Sequence, residues 1–260
     1  MREMKDSGVE WIGEIPKEWE VIPMRRIGNF SASGIDKLIK DNEELVRIVN
    51  YVDVYRNSNL ILNNKEYMTV SASKEKIKKN LICEGDLIFT PSSETVEDIG
   101  LSALVNENIP NTSFSYHVLR FVFKRDVNKS YKKYLCNNHY VQNCFSSKAT
   151  GTIRKTLSRA DFNDQVVFLP PLTTQQKIAD YLDRKCSKID EIITKQGQVI
   201  EKLKAYKLSI ITESVTKGLN PNVKMKDSGV EWIGEIPEHW EVCKFKTVYS
   251  YSKGLPITKA

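Results

Sequence analysis

Residues 169–218 read LPPLTTQQKIADYLDRKCSKIDEIITKQGQVIEKLKAYKLSIITESVTKG, and this stretch decides the architecture. Pro170 and Pro171 stiffen the exit from whatever precedes them. Thr173 followed by Gln176 has the spacing of a capping box, in which the threonine accepts from a backbone amide and the glutamine reaches back. No further proline occurs before Pro221, and Gly218 supplies a helix stop. In between, Ile178, Leu182, Lys185, Ile189, Ile192, Gln196, Val199, Leu203, Tyr206 and Ile210 recur at alternating steps of four and three, the seam of a coiled coil. Lys185 and Gln196 are its polar members, the kind that fix register at a cost in stability. Gly197 weakens the helix locally by about 1 kcal/mol against alanine. At 1.5 Å per residue the segment makes a rod of roughly 65 Å. Such a rod cannot bury its own seam and needs a partner helix.

Upstream, the character is different. Residues 24–168 carry short apolar runs rich in Val, Ile and Phe, separated by polar loops. Strands are expected at 46–51, 60–62, 86–90, 101–105, 118–123 and 165–169. Helices are expected at 130–145, where Tyr131, Tyr134, Leu135, Val141 and Phe145 share a face, and more briefly at 73–80. The fold class is therefore α+β: a loop-rich mixed domain followed by one long coiled-coil-forming helix.

Three loops concentrate hydrogen-bonding side chains. One runs from Thr90 through Ser92, Ser93 and Glu94 to Thr95; a second spans 111–117 and ends in Tyr116 and His117. The third, 146–159, interleaves Lys148, Arg154, Lys155 and Arg159 with Thr150 and other small polar residues, a composition suited to phosphate contacts. Any one of these could be ordinary solvated loop; three in one domain favour a polar ligand surface.

The thirteen residues MKDSGVEWIGEIP at 4–16 return unchanged at 225–237, and the match continues to 242 with two differences, Glu238 for Lys17 and His239 for Glu18. A period of this size signals domain-sized repeats rather than a solenoid. The chain accordingly divides into three segments: 1–168 as one domain with an ordered, non-helical lead-in over 1–23, 169–218 as the long helix, and 219–260 as a linker with the start of a second, incomplete repeat. The tail beyond Lys224 is expected to be poorly packed or docked on a neighbour, with Trp232 and Trp240 lacking the complete domain that Trp11 and Trp19 anchor to.

A formal charge of +6 and a pI near 8.9 are compatible with a nucleic-acid partner without requiring one. Five cysteines with no CxxC pair argue against a disulfide framework or a zinc site and for a reducing cytoplasm. No apolar run is long enough to span a membrane. No Walker A or GxGxxG loop, no HExxH and no His/Cys cluster is present. Nothing in the sequence marks a catalytic centre or a bound cofactor.

Taken in order, several segments resemble the specificity subunits of type I restriction–modification systems. They are Ser7-Gly8-Val9-Glu10-Trp11-Ile12-Gly13-Glu14-Ile15-Pro16, Arg47 to Tyr55, Ser92 to Gly100 and Ser115-Tyr116-His117. The most specific is Leu169-Pro170-Pro171-Leu172-x-x-Gln175-Gln176-x-Ile178-Ala179-x-Tyr181-Leu182-Asp183. The resemblance covers essentially the whole chain and implies a non-catalytic subunit that binds double-stranded DNA. In that family each target recognition domain reads half of a split site. Paired antiparallel helices set the spacing and dock the methyltransferase subunits, and the complex recruits the restriction and translocase subunit. Ser92, Ser93, Glu94, Tyr116, His117, Lys148, Thr150, Arg154, Lys155 and Arg159 are the candidate DNA-binding residues. This chain carries one recognition domain and one helix, so a homodimer through the long helix is expected. The alternative is a truncated coiled-coil adaptor that binds the methyltransferase without productive DNA recognition.

Overall fold

The computed structural model describes residues 3–10, 12–56, 60–250, 252 and 254. The chain divides into two compact units, 1–185 and 186–260.

The first unit is built round two sheets. The larger orders Gly28–Ser31, Leu119–Phe123, Leu87–Phe89, Ser102–Val105 and Leu60–Ile61, antiparallel except for the last pair. The smaller places Glu44–Val49 between Thr112–Phe114, parallel to it, and Met68–Ala72, antiparallel. The expected strands are thus present, with bounds shifted by one or two residues. Central strands such as Leu87–Phe89 are buried at every position, which is why they read as unbroken apolar runs. Phe30, Phe89, Phe121, Phe145 and Phe162 form one aromatic cluster, with ring centroids 4.6–5.5 Å apart in tilted and edge-on pairs.

Four local expectations are corrected. The helix expected over 130–145 is two helices, Lys129–Leu135 and His139–Lys148. Asn138 divides them: its Oδ1 accepts from Val141 N at 3.1 Å as an N-cap while its Nδ2 donates to Leu135 O at 2.9 Å. Next to it, Asn137 turns to the sheet and accepts from Ser102 N and Oγ. The strand expected to reach Tyr51 ends at Val49, and Tyr51–Arg56 is a helix. The segment 111–117 is not wholly loop, because Thr112–Phe114 is a buried strand.

The fourth concerns the start of the long helix, Leu172–Lys217. It begins one residue before Thr173, and Pro171 O accepts from Thr174 N and Gln175 N, so the capping box does not form. Gln175 is buried instead: Nε2 donates to Pro170 O at 2.7 Å and Oε1 accepts from Asn128 N at 2.8 Å. Gln176 Oε1 accepts from Asn128 Nδ2, Ala179 is buried, and Ile178 packs on the core. Asp183 accepts from Lys133 Nζ at 2.6 Å and from the Tyr134 hydroxyl. Burial alone would raise the Asp183 pKa, but these two hydrogen bonds and the Lys133 charge hold it below the usual 3.8. The glutamine pair thus fastens the helix to its domain.

The second unit contains the remainder of that helix. Its seam is bare: Ile189, Ile192, Val199, Leu203, Tyr206 and Ile210 are all exposed, Leu203 by 60%. Gly218 ends the helix at φ +75°, with its N–H donating to Ser214 O at 3.1 Å. The second repeat copy then folds as a hairpin, Met225–Asp227 against Glu235–Pro237, with Ile236 and Pro237 buried. The tail expected to be poorly packed or docked on a neighbour is thus ordered as a hairpin that buries only these two residues, and residues 241–250 are exposed. Trp240 is half-buried beside Gly218, Trp232 is 83% exposed, and Trp11 lies outside the described residues.

Candidate nucleic-acid interface

Two of the three polar loops are joined by a short ladder. Ser92–Ser93 pairs antiparallel with Lys155–Thr156, and Thr150 and Thr156 exchange backbone hydrogen bonds of 3.1 and 2.8 Å to close a hairpin. The turn needs glycine. Gly151 sits at φ +108°, and a Cβ there would lie 2.2 Å from Arg154 O. Lys155 Nζ donates to Gly151 O at 2.7 Å, so this lysine braces the turn. Thr152, Ile153 and Arg154 stand exposed at the tip, Ile153 by 92%.

Core residues on either side fix this hairpin. Before it, the helix His139–Lys148 buries Phe145 and ties Ser146 Oγ to Val96 O at 2.9 Å. After it, Leu157 is buried and donates its N–H to Pro91 O, and Ser158 with Asp161 forms a capping box on the helix Arg159–Asn163. Phe162 of that helix meets Phe145 at 4.9 Å. A stretch rich in Ser, Thr and Gly is thereby held on rigid elements.

Arg154 of the hairpin, the segment 90–98 and the helix Tyr51–Arg56 enclose a cleft of about 240 Å³, lined by Tyr51, Tyr55, Ser92, Glu94, Asp98 and Arg154 among others. Arg154 Nε donates to Ser92 Oγ at 3.1 Å. Asp98 Oδ2 accepts from Thr95 Oγ1 at 2.8 Å and from Tyr55 Oη at 3.2 Å, which raises the phenol's pKa. His117 is half-buried, with the Tyr116 ring 3.8 Å away and tilted by 34°. Burial, then the charges of Lys37 and Arg154, push its pKa below the usual 6.5, so the imidazole is neutral at pH 7.

Of the candidate residues, Ser92, Ser93, Glu94 and Arg154 share this cleft, and Lys155 is bonded into its wall. His117 lies within electrostatic reach of Arg154, and the Tyr116 ring packs on it. Lys148, Thr150 and Arg159 are exposed but do not line the cleft. Sequence reasoning missed Tyr51, Tyr55, Asp98 and Lys37 as site residues. Tyr51 and Tyr55 carried a signal, a spacing of four that puts both phenols on one face once the segment is helical.

The surface offers hydrogen-bond donors, acceptors and aromatic faces to a polar partner. No group of three or more His, Cys, Asp or Glu among the described residues is placed to hold a metal.

Known proteins resemble this arrangement. Residues 16–202 match the family described as the type I restriction modification DNA specificity domain. The chain is 27% identical over 237 residues to the putative type I restriction enzyme MjaX specificity subunit of Methanocaldococcus jannaschii, covering 89% of the chain and 52% of that protein. It is 34% identical over 108 residues to the MjaVIII specificity subunit of the same organism, 42% of the chain and 24% of that protein. Among solved structures, one described by the complex assembly and conformational transition of the type I R-M system superposes with a TM-score of 0.60 at 13% identity, over 79% of this chain and 47% of that one. The HsdS subunit of Thermoanaerobacter tengcongensis gives 0.50 at 13% identity, over 79% and 46%. The chain spans about half the length of the first of these relatives. The family match takes in the sheets, the cleft, the hairpin and most of the long helix, and the chain therefore belongs to the type I restriction–modification DNA specificity family.

Proposed function

We propose that this chain is the DNA-recognition unit of a type I restriction–modification complex, reading one half of a split duplex target without catalysing a reaction itself. The observation that carries this reading is the hairpin 150–156, which presents an exposed arginine beside a polar cleft on a rigid scaffold. Lys148 and Arg159 supply cations for phosphates and for steering the duplex in, while Ser92, Glu94, Arg154, Tyr116 and His117 offer groups for base edges. Residues 1–168 act as the recognition domain and 169–218 as the spacer that docks methyltransferase subunits and, through them, the restriction subunit.

A second copy of the chain provides the partner for the long helix. The support is the bare apolar seam from Ile189 to Ile210, which water would otherwise cover at a cost of about 25 cal/mol per Å². Antiparallel pairing of identical helices about a two-fold axis gives identical half-sites in inverted orientation.

Gel shift with the methyltransferase subunits, and sedimentation of the chain at micromolar concentration, test the two parts. A retarded complex on duplex DNA and a dimer that Leu203→Asp dissociates are expected. No DNA binding in the presence of the methyltransferase would overturn the first, and a monomer with and without it the second.

A further inference from the structure

We propose that the cleft beside Arg154 reads the major-groove edge of one G·C pair, with Arg154 donating to guanine and Glu94 accepting from cytosine. This rests on the reading of the chain as a DNA-recognition unit and names what that site would recognise.

The guanidinium is oriented before any ligand arrives. Arg154 Nε is committed to Ser92 Oγ at 3.1 Å, and Ser92 is fixed by its pairing with Thr156. The two terminal nitrogens, which form no hydrogen bond among the described residues, make a planar fork of the shape that meets guanine O6 and N7. A lysine or a free arginine would first have to lose side-chain entropy; this one is already held.

The other lining groups argue against a phosphate in the same place. Glu94 and Asp98 both line the cleft, so an anion entering it would face two carboxylates. A base edge carries no net charge. In the major groove, a G·C pair shows two acceptors on guanine next to the N4 amino donor of cytosine, so it wants donors and an acceptor side by side. Asp98 is occupied by Thr95 and Tyr55, whereas Glu94 is exposed and unbonded among the described residues, leaving it to take the amino group. Tyr51 and Tyr55, one helical turn apart, line the same cleft.

Selection from a pool of randomised duplexes tests this, using the full chain alone and with its methyltransferase subunits. The wild type is expected to enrich a motif containing an invariant G·C pair. Arg154→Ala should lower affinity for the selected duplex by roughly 5- to 150-fold and make it equal to that for the duplex with this pair changed to A·T. Glu94→Ala should narrow the same preference, and Ser92→Ala should do so while leaving the arginine in place. Equal loss on every duplex from Arg154→Ala, with a salt slope shallower by about one, would identify a phosphate contact and overturn the proposal. So would a motif that the Arg154 and Glu94 variants both leave intact. A wild type that enriches no sequence in either format would instead remove the DNA-recognition reading on which this rests.

Discussion

The two copies of MKDSGVEWIGEIP have the same sequence and the same local structure. Each folds as a hairpin in which a serine N–H donates to a glycine carbonyl at 2.9 Å, Ser7 to Gly13 and Ser228 to Gly234. Each carries an Asx turn, with Gly8 N donating to Asp6 and Gly229 N to Asp227, both at 2.9 Å. The chain just beyond each copy behaves differently. After the first copy, Glu20–Pro23 becomes a strand against Val166–Leu169 and buries Ile22. After the second, the corresponding residues Glu241 to Lys244 form no strand among the described residues, and Cys243, in the place of Ile22, is exposed. A turn stabilised within its own thirteen residues forms wherever it is put, whereas a strand exists only where another strand offers its backbone.

The contrast extends to the two units. Among the described residues every buried apolar side chain but Ile236 and Pro237 lies at or before Ala179. The first unit owes its stability to a core; the second owes it to helix hydrogen bonds and one small hairpin.

Removing a core ring should therefore split the two copies most. Phe162→Ala is expected to cost the first unit about 3–5 kcal/mol through lost burial and a cavity against Phe30, Phe89 and Phe145. Native-state hydrogen exchange should register that loss around the strand that follows the first copy, Glu20–Pro23, and none at Ser228. Equal acceleration at Ser228 would mean that the second hairpin depends on the core after all.

A smaller effect should be shared. Asp6→Ala and Asp227→Ala each remove one exposed hydrogen bond, worth about 0.5–1 kcal/mol, and the two hairpins should lose the same amount. Exchange at Ser7 and Ser228 in the two variants measures it, and a clear inequality would show that the surroundings, not the local turn, hold one of them.

The smallest effect concerns pH and only the first unit. His117 has a folded pKa below 6.5, so the unfolded chain binds its proton first as pH falls. Stability should decline as pH drops from 6.5 towards the lowered value and be unaffected above it. Urea unfolding at stepped pH should show this decline in the wild type and lose it in His117→Gln. A difference that instead grows as pH rises would reverse the sign and place a carboxylate's influence over the imidazole.

Much of the fold was legible in the residues. Strands such as Leu87–Phe89 and Ser102–Val105, buried at every position, announced themselves because strands buried on both faces read as nearly continuous apolar runs. The long helix did so through its seam spacing. At two of the places where the reading failed, side-chain hydrogen bonds decided: Asn138 capped a new helix locally, while Asn137, Gln175 and Gln176 took distant partners. Asn137 and Asn138 broke a helix that periodicity had joined, and Gln175 and Gln176 left a local cap to bond Asn128. Of the site, the sequence supplied Arg154, Ser92 and Glu94 as polar loop residues but gave no sign that they meet across 62 residues of chain.

By itself, then, the sequence determined whatever is settled within a few turns of chain: the hairpin of each repeat copy, the glycine at 151, the helix and its unfilled seam. Tertiary structure alone decided which loops share a cleft, which way the Arg154 fork is held, and that Tyr51 and Tyr55 stand beside it. The reason is range. Turn and helix hydrogen bonds close within about five residues and leave a local pattern, whereas the cleft comes from strand pairings and core packing between distant segments, whose partners no local pattern records.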